Sequence, residues 1–168
     1  MKRIADLNVA EEQVFQKVNQ LISGVRRTVA EEPSSLEAGI RILEQLRKEN
    51  YENLNQIQHE AMILRAAWSL QRTDLAGEEL EWYWNPRQTG GAEEPDLRGA
   101  IAGRIEVSAE ITTSERPVGT IDQRMETTLK KLSAMPGKRI YFVRTEAMEE
   151  RARAKIDKTN FQIEVRRI

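Results

Sequence analysis

The stretch Arg104-Ile105-Glu106-Val107-Ser108-Ala109-Glu110-Ile111-Thr112 alternates along its whole length. Ile105, Val107, Ala109 and Ile111 fall on one side of an extended chain; Arg104, Glu106, Ser108, Glu110 and Thr112 fall on the other. A period of two sustained this long dictates a β-strand with one face on a core. The second face carries two acids, Glu106 and Glu110, with Arg104 beside them. Like charges on one strand face repel, so the pattern calls for a cation, either Arg104 or a bound metal ion.

Outward from this strand, two short apolar stretches, one around Leu97 and one from Ile101 to Thr113, with Gly99 and Gly103 between them, give a hairpin signature. Pro95-Asp96 lies just ahead of it, so the hairpin is expected to bring Asp96, Glu106 and Glu110 together at one end of a sheet. Earlier still, Leu80-Glu81-Trp82-Tyr83-Trp84 is aromatic and β-prone, and Asn85-Pro86 and Gly90-Gly91 supply turn chemistry. The first seventy residues read as three helices. Their apolar stripes run through Val14, Val18, Leu21, Ile22, Val25 and Val29; through Leu36, Ile40, Leu43 and Leu46; and through Leu54, Ile57, Ala61, Leu64 and Trp68. A polar interruption at residues 49–53 separates the last two, and Ser34 with Glu37 fits a capping box. Downstream come a helix from about Ile121 to Met135, a strand at Ile140-Tyr141-Phe142-Val143, a polar helix over residues 146–158 and a strand at Phe161-Gln162-Ile163-Glu164-Val165.

The expected class is therefore α/β (α+β): a mixed central sheet flanked by helices. Residues 1–50 form an N-terminal helical extension, and residues 51–168 form a core in the same compact unit. At 168 residues the chain has the size of one domain. It has no cysteine, which excludes disulfides, thiolate metal centres and a cysteine nucleophile. His59 is its one histidine, so no multi-histidine cage can form within a chain. Gly90-Gly91 is not followed by the Lys-Ser/Thr of a phosphate-binding loop, which argues against a nucleotide cofactor. No apolar run is long enough for a bilayer, and residues 1–6 lack the apolar core of a signal peptide, so a cytoplasmic protein without membrane contact is expected. Net charge is -1, unevenly spread. Residues 1–84 carry ten Lys/Arg against fourteen Asp/Glu, whereas from Arg116 onward the count is thirteen against seven. A basic C-terminal third of this kind suits either solvated faces or a polyanionic partner.

Carboxylates on neighbouring strands are the donor set that Mg²⁺ takes, with waters and substrate phosphate completing its octahedron. Pro95-Asp96, nine residues, then Glu106-Val107-Ser108-Ala109-Glu110-Ile111-Thr112-Thr113 resembles the signature of the PD-(D/E)XK nuclease superfamily, the fold of type II restriction endonucleases. The resemblance covers about residues 55–145. It implies a restriction-endonuclease-like core of helix, three strands, helix, strand, with Asp96 as a metal ligand. The third strand would supply a second acid and, usually, a lysine two residues later. Here the strand carries no lysine. The register Glu106-Val107-Ser108 puts Ser108 in its place, and the register Ser108-Ala109-Glu110 puts Glu110 there. Arg124, Lys130 and Lys131 on the next helix are the basic residues within reach of that strand. The resemblance thus implies Asp96, Glu110 and Glu106 as ligands of Mg²⁺, or Mn²⁺ in its place, with Glu60 on the first core helix as a further candidate. The implied activity is endonucleolytic hydrolysis of DNA by a homodimer whose N-terminal helices make the contact. The alternatives are a catalytically degenerate module of the same fold, binding nucleic acid or a protein partner, and a structural helical oligomer.

Other residues have two readings each. Thr112-Thr113-Ser114 suits a phosphate or an ordinary strand end, and Gly119-Thr120 suits an anion site or a simple helix cap. Arg139, Arg144, Arg151, Arg153 and Lys155 would contact phosphates if the basic third faces DNA. Trp82, Tyr83 and Trp84 are expected in the core rather than stacked on bases, and His59 is expected to be structural or exposed.

Overall fold

The computed structural model describes residues 1–30, 32–73, 79–86 and 94–168. The turn expected at Gly90-Gly91 lies outside them. Asp6 starts the first helix, its carboxylate accepting from the amides of Asn8 and Val9. The elements are β1 (Lys2–Ile4), α1 (Leu7–Val29), α2 (Leu36–Thr73), β2 (Glu81–Trp84), β3 (Leu97–Ile101), β4 (Arg104–Ile111), α3 (Thr120–Ser133), β5 (Lys138–Val143), α4 (Glu146–Thr159) and β6 (Glu164–Arg167). The fold is α+β, four helices around one six-stranded mixed sheet in the order β1-β2-β3-β4-β5-β6. The first four strands are antiparallel neighbours, and β5 and β6 then join β4 in parallel. Among the described residues no helix is long and apolar enough to cross a membrane.

The hairpin between β3 and β4 turns on Ala102-Gly103, both at positive φ, the backbone of a two-residue turn matched to strand twist. Its register sets Leu97 against Ala109. One face of the sheet, including Val107, Ala109, Ile111, Ile140 and Phe142, packs on α1 and α2. Ala66 and Ala67 are fully buried there, and their small size lets α2 lie close to the strands. The other face, with Tyr141, Val143 and Val165, packs on Met125, Leu129 and Leu132 of α3 and on Met148 and Ala152 of α4. Both faces of β4 are thus covered over its second half, so the polar side of the alternating strand is an interior surface. Gly137 closes the turn from α3 into β5 at φ 75°, where a Cβ would stand 2.7 Å from the Glu106 carbonyl group.

Several local expectations are corrected. The second and third helices are one, α2, running through the polar stretch at 49–53 and through the boundary expected near residue 50. Ser35, not Ser34, caps it, accepting from the Ala38 amide. The N-terminus contributes a strand as well as a helix: β1 pairs with β2, Ile4 opposite Trp82. The last strand lies three residues later than expected at its start. Trp82 and Trp84 are core residues, as expected, and the Trp82 indole donates to Gln71.

Candidate functional site

Asp96 sits one residue before β3, and the hairpin register carries it opposite Glu110 of β4. The parallel pairing of β4 with β5 places Tyr141 opposite Glu110 on the other side. Asp96, Glu110 and Tyr141 therefore form one row across three strands, where the sheet changes from antiparallel to parallel. Asp96 is 2% exposed and Glu110 4%. Glu110 and Tyr141, but not Asp96, line a cleft of about 630 Å³ between α2 and α3. Glu52, Gln56 and His59 line it from α2, Thr112, Thr113 and Ser114 from the end of β4, and Arg124 and Thr128 from α3.

Each buried acid has a cation. Asp96 Oδ2 accepts from the Ile111 amide at 2.8 Å and lies 3.3 Å from His59 Nε2. His59 Nδ1 lies 3.1 Å from the Pro86 carbonyl oxygen, which can only accept. With an acceptor at each ring nitrogen, the geometry suits the imidazolium, which donates at both. Burial pulls the His59 pKa down, but Asp96 and the carbonyls of Pro86 and Ile111 outweigh it, and the net direction is up. Gln56 Nε2 also donates to the Pro86 carbonyl, so one loop oxygen anchors two turns of α2 over the site.

Lys131 Nζ stands 2.6 Å from Glu110 Oε1. The approach is an ion pair off the hydrogen-bonding direction, and that buried oxygen has no hydrogen-bond partner. Burial first, and then the Asp96 charge, push Glu110 up from 4.5 to about 7, despite opposition from Lys131 and His59. Burial also raises the Tyr141 hydroxyl, which is hydrogen-bonded to Thr112. Tyr141 thus stays protonated beside the acids.

The predicted residues divide sharply. Asp96 and Glu110 are brought together. Glu106 is four residues from Glu110, about 13 Å along a strand, and pairs with Arg104 at the far end of the hairpin. Ser108 is fully buried, its hydroxyl donating to the Pro136 carbonyl at 2.8 Å beneath the α3–β5 turn. Neither Glu106 nor Ser108 lines the cleft. Glu60 is buried rather than on the surface and faces α1, where Lys17 Nζ is 2.7 Å from both its oxygens. Glu52 is the α2 glutamate that lines the cleft. Thr112 stands two residues after Glu110, a register that neither sequence alignment of the motif included.

His59 was missed as a site residue. Its signal was the polar stripe Glu52, Gln56, His59 on a helix otherwise patterned for a core. On α3, Arg124, Thr128 and Lys131 repeat at helical spacing in the same way. The five C-terminal cations singled out for phosphate contact are engaged within the chain. Arg151 and Lys155 pair with Asp122, Arg153 with Glu149 and Arg144 with Glu115, and Arg139 donates to the Met135 carbonyl. The helix α3 begins at Thr120 itself, with Gly119 in the cap position and no side-chain cap.

Among the described residues no three His, Asp or Glu side chains are grouped to hold a metal ion. Mg²⁺ needs fewer: one or two carboxylates suffice when substrate phosphate and water fill the remaining positions. The Asp96–Glu110 pair supplies that number of carboxylates, with Lys131 at Glu110 Oε1 the group an ion would displace. Comparison with protein-family models, curated proteins and solved structures finds no match to this chain.

Proposed function

We propose that the chain is a Mg²⁺-dependent endonuclease hydrolysing DNA in the cytoplasm, similar in plan to PD-(D/E)XK nucleases. The observation that carries this reading is the Asp96–Glu110 pair, buried side by side, with Glu110 lining an open cleft. The element order α2, β2, β3, β4, α3, β5 supports it too, being the order of that family's core. Asp96 and Glu110 would hold Mg²⁺, or Mn²⁺ in its place. The ion would supply Lewis-acid stabilisation of charge on the phosphoryl oxygens and a more acidic attacking water.

The chain's own residues do the rest. Thr112 occupies the place of the motif lysine, and Lys131, reaching Glu110 from α3, brings the missing positive charge. Arg124, Thr113, Ser114 and Thr128 line the cleft, a guanidinium and three hydroxyl-bearing residues of the kind that phosphate oxygens accept from. Glu110, at about 7, exchanges a proton readily near neutral pH. His59 holds Asp96 in place, while Pro86 holds His59.

A second reading has one specific observation behind it. Both acids are already neutralised by internal cations, His59 and Lys131, as a module without metal would require. The test is incubation with supercoiled plasmid in Mg²⁺, Mn²⁺ or EDTA, together with Mn²⁺ binding. Metal-dependent nicking that survives Glu106→Ala but is lost in Asp96→Ala and Glu110→Ala supports the nuclease. No nicking, with wild type and Asp96→Ala equal in Mn²⁺ binding, overturns it in favour of the binding module.

A further inference from the structure

The helices α1 and α2 run together far beyond the sheet. The buried residues of α1 end at Val14 and those of α2 begin at Ile57, so the chain between them forms a two-helix arm turning at Pro33. The helices are antiparallel, with Lys17, Leu21 and Gly24 beside Ile57, Asn53 and Asn50. Ile42 and Leu46, half-buried, lie along the seam with α1. A quarter-turn from that seam, Leu36, Ile40 and Leu43 stand on successive turns of α2, with Tyr51 two turns further along the same side, all exposed, Leu36 at 84%. On α1, Val29 is exposed and offset from its own seam in the same rotational sense. For antiparallel helices this puts both stripes on one side of the arm.

We infer that this face is where a second copy of the chain docks, arm against arm and antiparallel. Five large apolar side chains exposed on one side of the arm are the kind of patch that marks an interaction site.

The charges select the partner. The flank of α2 beyond the stripe reads Glu37, Arg41, Glu44, Lys48, alternating in sign at spacings of four, three and four. That pattern is a charge palindrome. Against an antiparallel copy, Glu37 meets Lys48 and Arg41 meets Glu44, and the same pairs recur across the dyad. Within the chain, among the described residues, the structure gives none of the four an ion-pair partner. Ile40 and Leu43 then sit nearest the dyad. This inference is independent of the metal reading, because the arm and the cleft are separate features with separate readouts.

The test is sedimentation of the full chain over a range of concentrations, with circular dichroism to confirm folding. Wild type should sediment as a dimer, and Leu43→Glu as a monomer of unchanged helicity. Arg41→Glu and Glu44→Arg should each weaken the dimer about tenfold or more. The double variant Arg41→Glu/Glu44→Arg should restore it, because each swapped charge again faces its opposite on the partner. A wild type that stays monomeric, a Leu43→Glu variant as dimeric as wild type, or a double variant no better than its parents would overturn the proposal. The first of these would assign the face to a different protein.

Discussion

Replacing Glu110 by glutamine should stabilise the protein at alkaline pH and leave it unchanged at acid pH. The side chain is nearly inaccessible, and its carboxyl is pushed from 4.5 to about 7 by burial and by Asp96. Between those two values the folded chain holds a proton that the unfolded chain has released. Stability from this residue is therefore full below pH 4.5 and is lost as pH rises through 7. Each pH unit of the interval is worth about 1.4 kcal/mol, so the loss totals about 3 kcal/mol. Glutamine keeps the shape and cannot ionise, and Lys131, partly exposed, can turn to water. Urea unfolding of both proteins across pH 4 to 8 reads the difference directly. Equal stability near pH 4, with the variant about 3 kcal/mol ahead at pH 8, is expected. A difference that does not vary with pH, or a variant less stable at pH 8, would refute the assignment of Glu110 as a buried acid held against its preference. Added Mg²⁺ extends the same assay. If the acids hold the ion, it should raise wild-type stability at pH 8 and leave the glutamine variant where it was.

Other perturbations follow from single contacts. Lys17→Met strands the buried Glu60 carboxylate and should cost about 3 kcal/mol in urea unfolding, most of it recovered in the double variant with Glu60→Gln. Gly137→Ala places a Cβ against the Glu106 backbone at positive φ and should cost at least about 2 kcal/mol, with slower refolding of the parallel half of the sheet as its kinetic counterpart. Ala102→Asn relieves a left-handed alanine in the β3–β4 turn and should raise stability by about 0.5–1 kcal/mol, seen as a higher Tm.

What could be read from the sequence was local and periodic. β4 emerges where alternation put it, and α3, β5 and α4 lie within a few residues of expectation, because turn residues such as Pro136-Gly137 fix their ends. α2 was split in expectation because Glu49–Asn53 has no apolar anchor. Yet the run also lacks proline and glycine, so nothing there breaks a helix whose flanks are already nucleated. β1 is three residues long and exists because Trp82 and Trp84 offer it a partner strand, information absent from its own residues. The same division runs through the site. Asp96 and Glu110 could be found from hairpin arithmetic. The polar stripe on α2 pointed to His59, but not to its partners, since its place depends on how a long helix crosses the sheet and where the Pro86 carbonyl falls.

The charge balance of the cleft predicts how metal and substrate depend on each other. His59 and Lys131 are positive, Asp96 is negative, and Glu110 is near half-ionised at neutral pH. A divalent cation added to that set, with Arg124 lining the cleft beside it, leaves an excess of positive charge. A phosphodiester sharing the cleft with the ion offsets that excess, and linkage makes the effect reciprocal. Mn²⁺ should bind weakly to the free protein and about tenfold or more tightly when a short DNA duplex is present, with the duplex gaining the same factor from Mn²⁺. Titrations of each ligand with and without the other measure both arms, using Ca²⁺ in place of Mn²⁺ if cutting is fast. Equal Mn²⁺ affinity in the two cases would mean that the ion does not share the cleft with phosphate, and the two-carboxylate site would then have to be complete without substrate.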